Sequence, residues 1–198
     1  MRFWVSISLG MLIGVAAFAQ TPAPSKAPAA KPRKANELTL AGLRPGRDKA
    51  AKAIQLFGKP DFRSADKQSL VWGFAGIDGA YYLNLDIDKT DVVQFIRVSQ
   101  GDGPSGVIVP RHSPFAIRTW ESGRGLAVGT TGSRVVQLYG EPDSRSPSTR
   151  AGRKLELLYY AFDWAGADVP QVMEVLCTVE DDGKPGRVVD ITLAAPSL

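Results

Sequence analysis

Gln55-Leu56-Phe57-Gly58-Lys59-Pro60-Asp61 and Gln137-Leu138-Tyr139-Gly140-Glu141-Pro142-Asp143 share one pattern at an offset of 82 residues, and its reading decides the expected fold. Each stretch reads as the end of a short helix. Leu and an aromatic residue close an apolar stripe, and Gly follows where the last turn closes left-handed at no steric cost. Pro two residues later cannot continue a helix, and it pushes Lys59 or Glu141 into extended backbone. The recurrence implies one supersecondary unit used twice.

The surroundings of the two stretches agree. Ala50, Ala53, Ile54 and Phe57 recur at helical spacing after Asp48, which sits where a helix dipole favours an acid. Val135, Val136, Leu138 and Tyr139 do the same, with Thr130 or Thr131 placed as an N-cap. Behind the first stop come Leu70-Val71-Trp72-Gly73-Phe74, then Tyr81 to Ile87, a turn at Asp88 to Asp91, and Val92 to Val98. Behind the second come a polar loop (Ser144 to Lys154), then Leu158-Tyr159-Tyr160-Ala161-Phe162, Val172 to Val179, a turn at Asp181 to Gly186, and Val188 to Ile191. Gly125 to Gly129 corresponds to Gly42 to Gly46. The expected class is α+β: two tandem helix-plus-antiparallel-meander repeats, with the helices packed on one face of the sheet.

The termini and composition set the compartment. Arg2, an apolar run from Phe3 to Phe18 and the small-x-small site Ala17-Phe18-Ala19 before Gln20 read as a secretory signal peptide. The run is short for a retained anchor and is broken by Ser6, Ser8 and two glycines. No later apolar run is long enough to span a bilayer, so no transmembrane segment is expected after cleavage. The plan is residues 1–19 signal peptide, 20–37 Ala/Pro/Lys-rich linker, 38–99 first repeat, 100–122 Gly/Pro-rich connector and 123–198 second repeat. The expected location is the periplasm or the exterior.

The formal charge of +4 points away from nucleic acid once it is located. Residues 1–36 carry five of the 24 basic residues and no acid, leaving 19 basic against 20 acidic residues beyond them. The linker's basic side chains are candidates for touching an anionic envelope surface, and more simply keep a core-free segment solvated.

Catalytic patterns are sparse, and no enzyme activity, cofactor or metal is expected. Cys177 is the single cysteine and His112 the single histidine, the latter in a Pro-rich stretch; the thiol reads as a small buried hydrophobe. Serine nucleophiles lack a second histidine to serve as a base and a Gly-x-Ser-x-Gly elbow. Gly123 to Ser133 lacks the lysine and the spacing of a phosphate loop. Asp86, Asp88 and Asp91 lie close together but without the glycine and distal glutamate of a calcium loop.

The order glycine, helix, Leu-aromatic-Gly-x-Pro-Asp, aromatic-bearing strand and meander resembles the BamE (SmpA/OmlA)-like and β-lactamase-inhibitor-protein-like repeats, over residues 38–99 and 123–194. One such unit makes outer-membrane assembly lipoproteins. Two in tandem make a secreted inhibitor with a partner-binding sheet face. No cysteine near the cleavage site could carry the lipid anchor. The resemblance implies an envelope or secreted protein that binds a protein partner.

Alternation locates the surface for that partner. Leu70, Trp72 and Phe74 share parity and belong under the helix with Phe57, as do Leu158, Tyr160 and Phe162 with Tyr139. Tyr82, Asn84, Asp86, Gln94, Tyr159, Glu174 and Asp190 point the other way, and aromatic residues among polar ones make a candidate protein-binding patch. The expected function is therefore an exported, non-enzymatic protein-binding module using an open sheet face. The alternatives are an inhibitor of a secreted hydrolase such as a β-lactamase or protease, and a small-ligand or metal-binding envelope scaffold.

Overall fold

The computed structural model describes residues 34–101, 120–166, 168–170, 172–181 and 183–195. The expected signal peptide, most of the expected linker and most of the expected connector, His112 among them, lie outside the described residues. Everything below concerns the unit that begins at Pro32.

Among the described residues the α-helices are α1, Ala50–Phe57, and α2, Gly132–Tyr139. Each ends on its glycine. Gly58 has φ 77° and ψ −165°, and Gly140 has φ 80° and ψ −169°. This is a backbone region that essentially only glycine enters, more restrictive than the left-handed turn expected from sequence. The two glycine N–H groups donate to Ile54 O and Val136 O at 2.8 Å. The expected threonine cap is replaced. The Thr130 hydroxyl turns back to Ala127 O, and the Thr131 hydroxyl meets Ser133 Oγ at 3.0 Å. Main-chain bridges Lys49–Val92 and Thr131–Arg187 tie the helix starts to strands instead, and Ala50 N–H donates to Asp91 O at 2.9 Å.

The end of the motif is a clasp on the sheet. Asp61 N–H donates to Val71 O, and its Oδ2 accepts from Gly73 N–H, both at 2.8 Å. Asp143 does the same with Tyr159 O and Ala161 N–H, again at 2.8 Å. From the other side, Trp72 Nε1 donates to Gly58 O at 3.0 Å and the Tyr160 hydroxyl to Gly140 O at 3.1 Å. Helix stop, turn and first long strand are therefore locked together by the same pattern of bonds at both places, with a different aromatic donor in each.

The strands are β1 Phe62–Arg63, β2 Ser69–Gly76, β3 Gly79–Ile87, β4 Val93–Gln100, β5 Ser144–Arg150, β6 Arg153–Ala161, β7 Val172–Val179 and β8 Pro185–Ala194. They form one antiparallel sheet of eight strands in the order β1-β2-β3-β4-β8-β7-β6-β5. This corrects the expected fold class. The described residues form a single continuous sheet carrying two eight-residue α-helices, and not two helix-plus-meander repeats under a helical layer. The continuity comes from β4 pairing with β8, through Ile96–Leu193 and Val98–Ile191. Side chains at that pairing are buried on the helix side, so the core runs through it. A second correction concerns Ser144 to Lys154, expected as a polar loop. It is the edge strand β5, which turns into β6 at Ala151 (φ 48°) and Gly152 (φ 73°).

Aromatic residues fill the space between helices and sheet. Phe57 stands edge-on to Trp72 and Trp120, with centroids at 6.0 and 6.2 Å. Tyr139 lies 5.8 Å from Tyr160. Burying each such ring contributes roughly 1.5–3 kcal/mol. Tyr139 also has polar work. Its hydroxyl donates to Glu37 Oε2 and meets Ser122 Oγ, both at 2.6 Å. Glu37 Oε1 accepts from the Leu38 and Thr39 amides at 2.8 and 3.1 Å. Residues 34–37, assigned to the linker by composition, thus pack against α2, and Lys34 pairs with Asp143.

Candidate functional site

Trp72 and Tyr160 reach the helix ends, so their parity marks the helix side of the sheet. Cross-strand partners share a face. One row on the opposite face runs Val71, Asn84, Arg97, Thr192, Glu174, Tyr159. The next rows hold Ser69, Asp86 and Phe95 on one side, and Tyr82, Ser99, Asp190 and Leu176 on the other. Six of the seven residues expected on this face are there: Tyr82, Asn84, Asp86, Tyr159, Glu174 and Asp190. Gln94 is not. Asp86 pairs with Phe95 and Ile87 with Val93, so Gln94 is the extra residue of a bulge, and its Nε2 donates to Asp88 Oδ2 at 2.8 Å.

Burial divides the six. Tyr82 and Asp190 are 5% and 3% exposed, whereas Asn84, Glu174 and Tyr159 are partly exposed and Asp86 is open. Asp190 has a structural task that sequence did not disclose. Its Oδ2 accepts from Arg97 Nε at 2.7 Å, Arg97 Nη2 at 2.6 Å and Arg150 Nη1 at 2.6 Å. A carboxylate on β8 therefore holds guanidiniums from β4 and from the end of β5.

Over the first half of this face lies a cavity of about 580 Å³. Phe62, Val71 and Phe95 supply its apolar wall, and Asn84, Asp86, Arg97, Ser99 and Arg150 its polar one. Arg97, Arg150, Phe62 and Phe95 were missed in sequence. Alternation with the apolar Ile96 and Val98 was the available sign for Arg97 and Phe95. Phe62 and Arg150 sit at strand ends that no alternation marks.

The other candidate chemistries meet specific obstacles. Cys177 is fully buried on the helix side, and burial pushes its thiol up to about 12, with Glu156 adding to the effect. It is a protonated core group at neutral pH. Asp88 Oδ1 accepts from Thr90 N–H and Thr90 Oγ at 2.7 Å and from Val92 N–H at 3.0 Å. Those bonds, the Thr90 hydroxyl first, hold its carboxyl below the usual range and commit it to the hairpin turn. No group of three His, Cys, Asp or Glu among the described residues is placed to hold a metal. In the glycine-rich stretch, the Gly125 and Gly129 amides are used by Ser122 O and Val188 O at 2.9 and 2.7 Å. No helix among the described residues is long and apolar enough to cross a membrane.

No protein-family model matches the chain, and no curated protein matches it. Among solved structures, the chain is similar to a DUF4309 family protein from Bacillus subtilis, at 14% identity and a TM-score of 0.43, covering 81% of this chain and 88% of that one. It is also similar to a cysteine-rich secretory protein from Staphylococcus aureus, at 9% identity and a TM-score of 0.41, covering 83% of this chain. The chain spans about half the length of the second, at 49%.

Proposed function

We propose that this chain is an exported, non-enzymatic binding protein whose working surface is the sheet face away from the helices, and that it takes an envelope or secreted protein as partner. The observation that carries the reading is the gathering of partly exposed Tyr159, Glu174, Asn84, Phe95 and Arg97 with open Asp86 on one rigid, continuous face. Aromatic and arginine side chains among polar neighbours are what protein-binding surfaces use as anchors. Burial of Tyr82 leaves Tyr159 as the more accessible of these two tyrosines on the far face.

The test is capture of cross-linked envelope proteins by the mature chain and by Tyr159→Ala and Glu174→Lys variants. Loss of the same captured species in both variants, with capture retained by Arg134→Ala on exposed α2, supports the reading. Equal capture by all forms overturns it. If the captured species is a secreted hydrolase, its inhibition by the mature chain identifies the inhibitor alternative. The cavity favours a second reading, a small-ligand scaffold, because its volume falls within the roughly 300–1,000 Å³ of ligand pockets.

A further inference from the structure

We propose that the cavity on the first half of the sheet is a site for a short peptide zwitterion, of dipeptide size, held between Arg97 and Asp86. This rests on the reading of the same face as the binding surface and narrows what its cavity accepts.

The polar wall has its charges in a set order. Arg97 stands at one end. Its Nε and Nη2 are fixed on Asp190 at 2.7 and 2.6 Å, and its Nη1 has no acceptor among the described residues. A guanidinium already held in one orientation loses little freedom when it receives a carboxylate. Asp190 also pairs with Arg150, so this buried carboxylate is shared by two guanidiniums. Asp86 stands at the other end. It accepts from Ser69 Oγ at 2.6 Å and makes no ion pair among the described residues.

Asn84 lies between them on β3, directly across from Arg97, while Asp86 lies across from Phe95. Asp86 and Arg97 are therefore diagonal neighbours, roughly 7–8 Å apart at the backbone, and yet unpaired. The Asn84 amide makes no side-chain hydrogen bond among the described residues, and it offers both a donor and an acceptor. The sequence of groups along the wall is cation, amide, anion. An extended dipeptide presents the complement: carboxylate, peptide group, ammonium. Phe62 and Phe95 flank this wall and suit an apolar side chain.

Isothermal titration of the mature chain with Ala-Phe tests the site. The controls are N-acetyl-Ala-Phe, which lacks the ammonium, and Ala-Phe amide, which lacks the carboxylate. Saturable binding of Ala-Phe is expected, with each control at least about tenfold weaker. Asp86→Asn should reduce Ala-Phe affinity and remove the discrimination against the acetylated form. Asp86 is exposed, so this variant keeps the fold; Arg97→Gln, which also frees Asp190, should remove the discrimination against the amide. Absence of binding at millimolar Ala-Phe, or equal binding of all three probes, overturns the proposal. Capture that depends on Tyr159 and Glu174 while Ala-Phe fails to bind overturns the dipeptide site alone. Ala-Phe binding without such capture overturns the protein-partner reading alone.

Discussion

The two halves of the sheet agree where the chain is clasped and differ where it is displayed. Asp61 and Asp143 make the same pair of bonds, and Gly58 and Gly140 adopt the same glycine-only conformation. Trp72 and Tyr160 reach the same carbonyl with different donors. On the far face the corresponding positions diverge. Val71, Asn84 and Arg97 stand where the second half has Tyr159, Glu174 and Thr192; Ser69, Asp86 and Phe95 stand where it has Leu157, Leu176 and Asp190. The helix stop keeps its glycine and aspartate at both places because the backbone conformation needs the one and the bonds to the strand need the other. The outer face carries no such demand, so the cavity lies over the first half, with Arg150 of β5 at its border.

The largest test of this comparison is in the core. Phe57→Ala should cost about 3 kcal/mol and Tyr139→Ala about 4 kcal/mol in denaturant unfolding, because the second also removes a hydrogen bond from the buried Glu37 carboxylate. An equal or reversed order would mean that the Glu37 tie adds nothing to the second half. Next come the clasps. Gly58→Ala and Gly140→Ala should each cost about 2 kcal/mol, and to a similar extent, since both force alanine into the same excluded region. A cost confined to one of them would show that the two stops are alike in shape but not in strain. The smallest effect lies in the tight hairpin turn of the second half, where the first half has the longer turn Ser64 to Gln68. Ala151 holds φ 48° before Gly152 in the β5–β6 hairpin, so Ala151→Asn should stabilise by about 0.5 kcal/mol, read as a small rise in Tm. A drop would mean that this turn needs the methyl group.

Sequence disclosed the helix stops because Gly-x-Pro-Asp acts locally. It disclosed the helix-facing aromatics because alternation is local too. What it missed depends on distant partners. The joining of β4 to β8 is set by matching registers, and nothing in either strand announces its neighbour. Ser144-Arg145-Ser146-Pro147-Ser148-Thr149-Arg150 has no apolar period because it is an edge strand, exposed over most of its length. Gln94 left the expected face because one bulge resets parity. Arg97 and Arg150 went unnamed because a cation reads as solvated until a buried carboxylate is placed between the two.

The β4–β8 pairing has a consequence for how the molecule comes into being. Its partners Ile96 and Leu193 are far apart in the chain, so the centre of the sheet closes only after a long loop is drawn in. Until then each half presents a bare, apolar strand edge, open to the matching edge of another molecule. The connector that joins the halves makes the correct encounter intramolecular and raises its effective concentration. Chain continuity through residues 100–122 thus acts as a safeguard during assembly, favouring closure within one molecule over exchange between two.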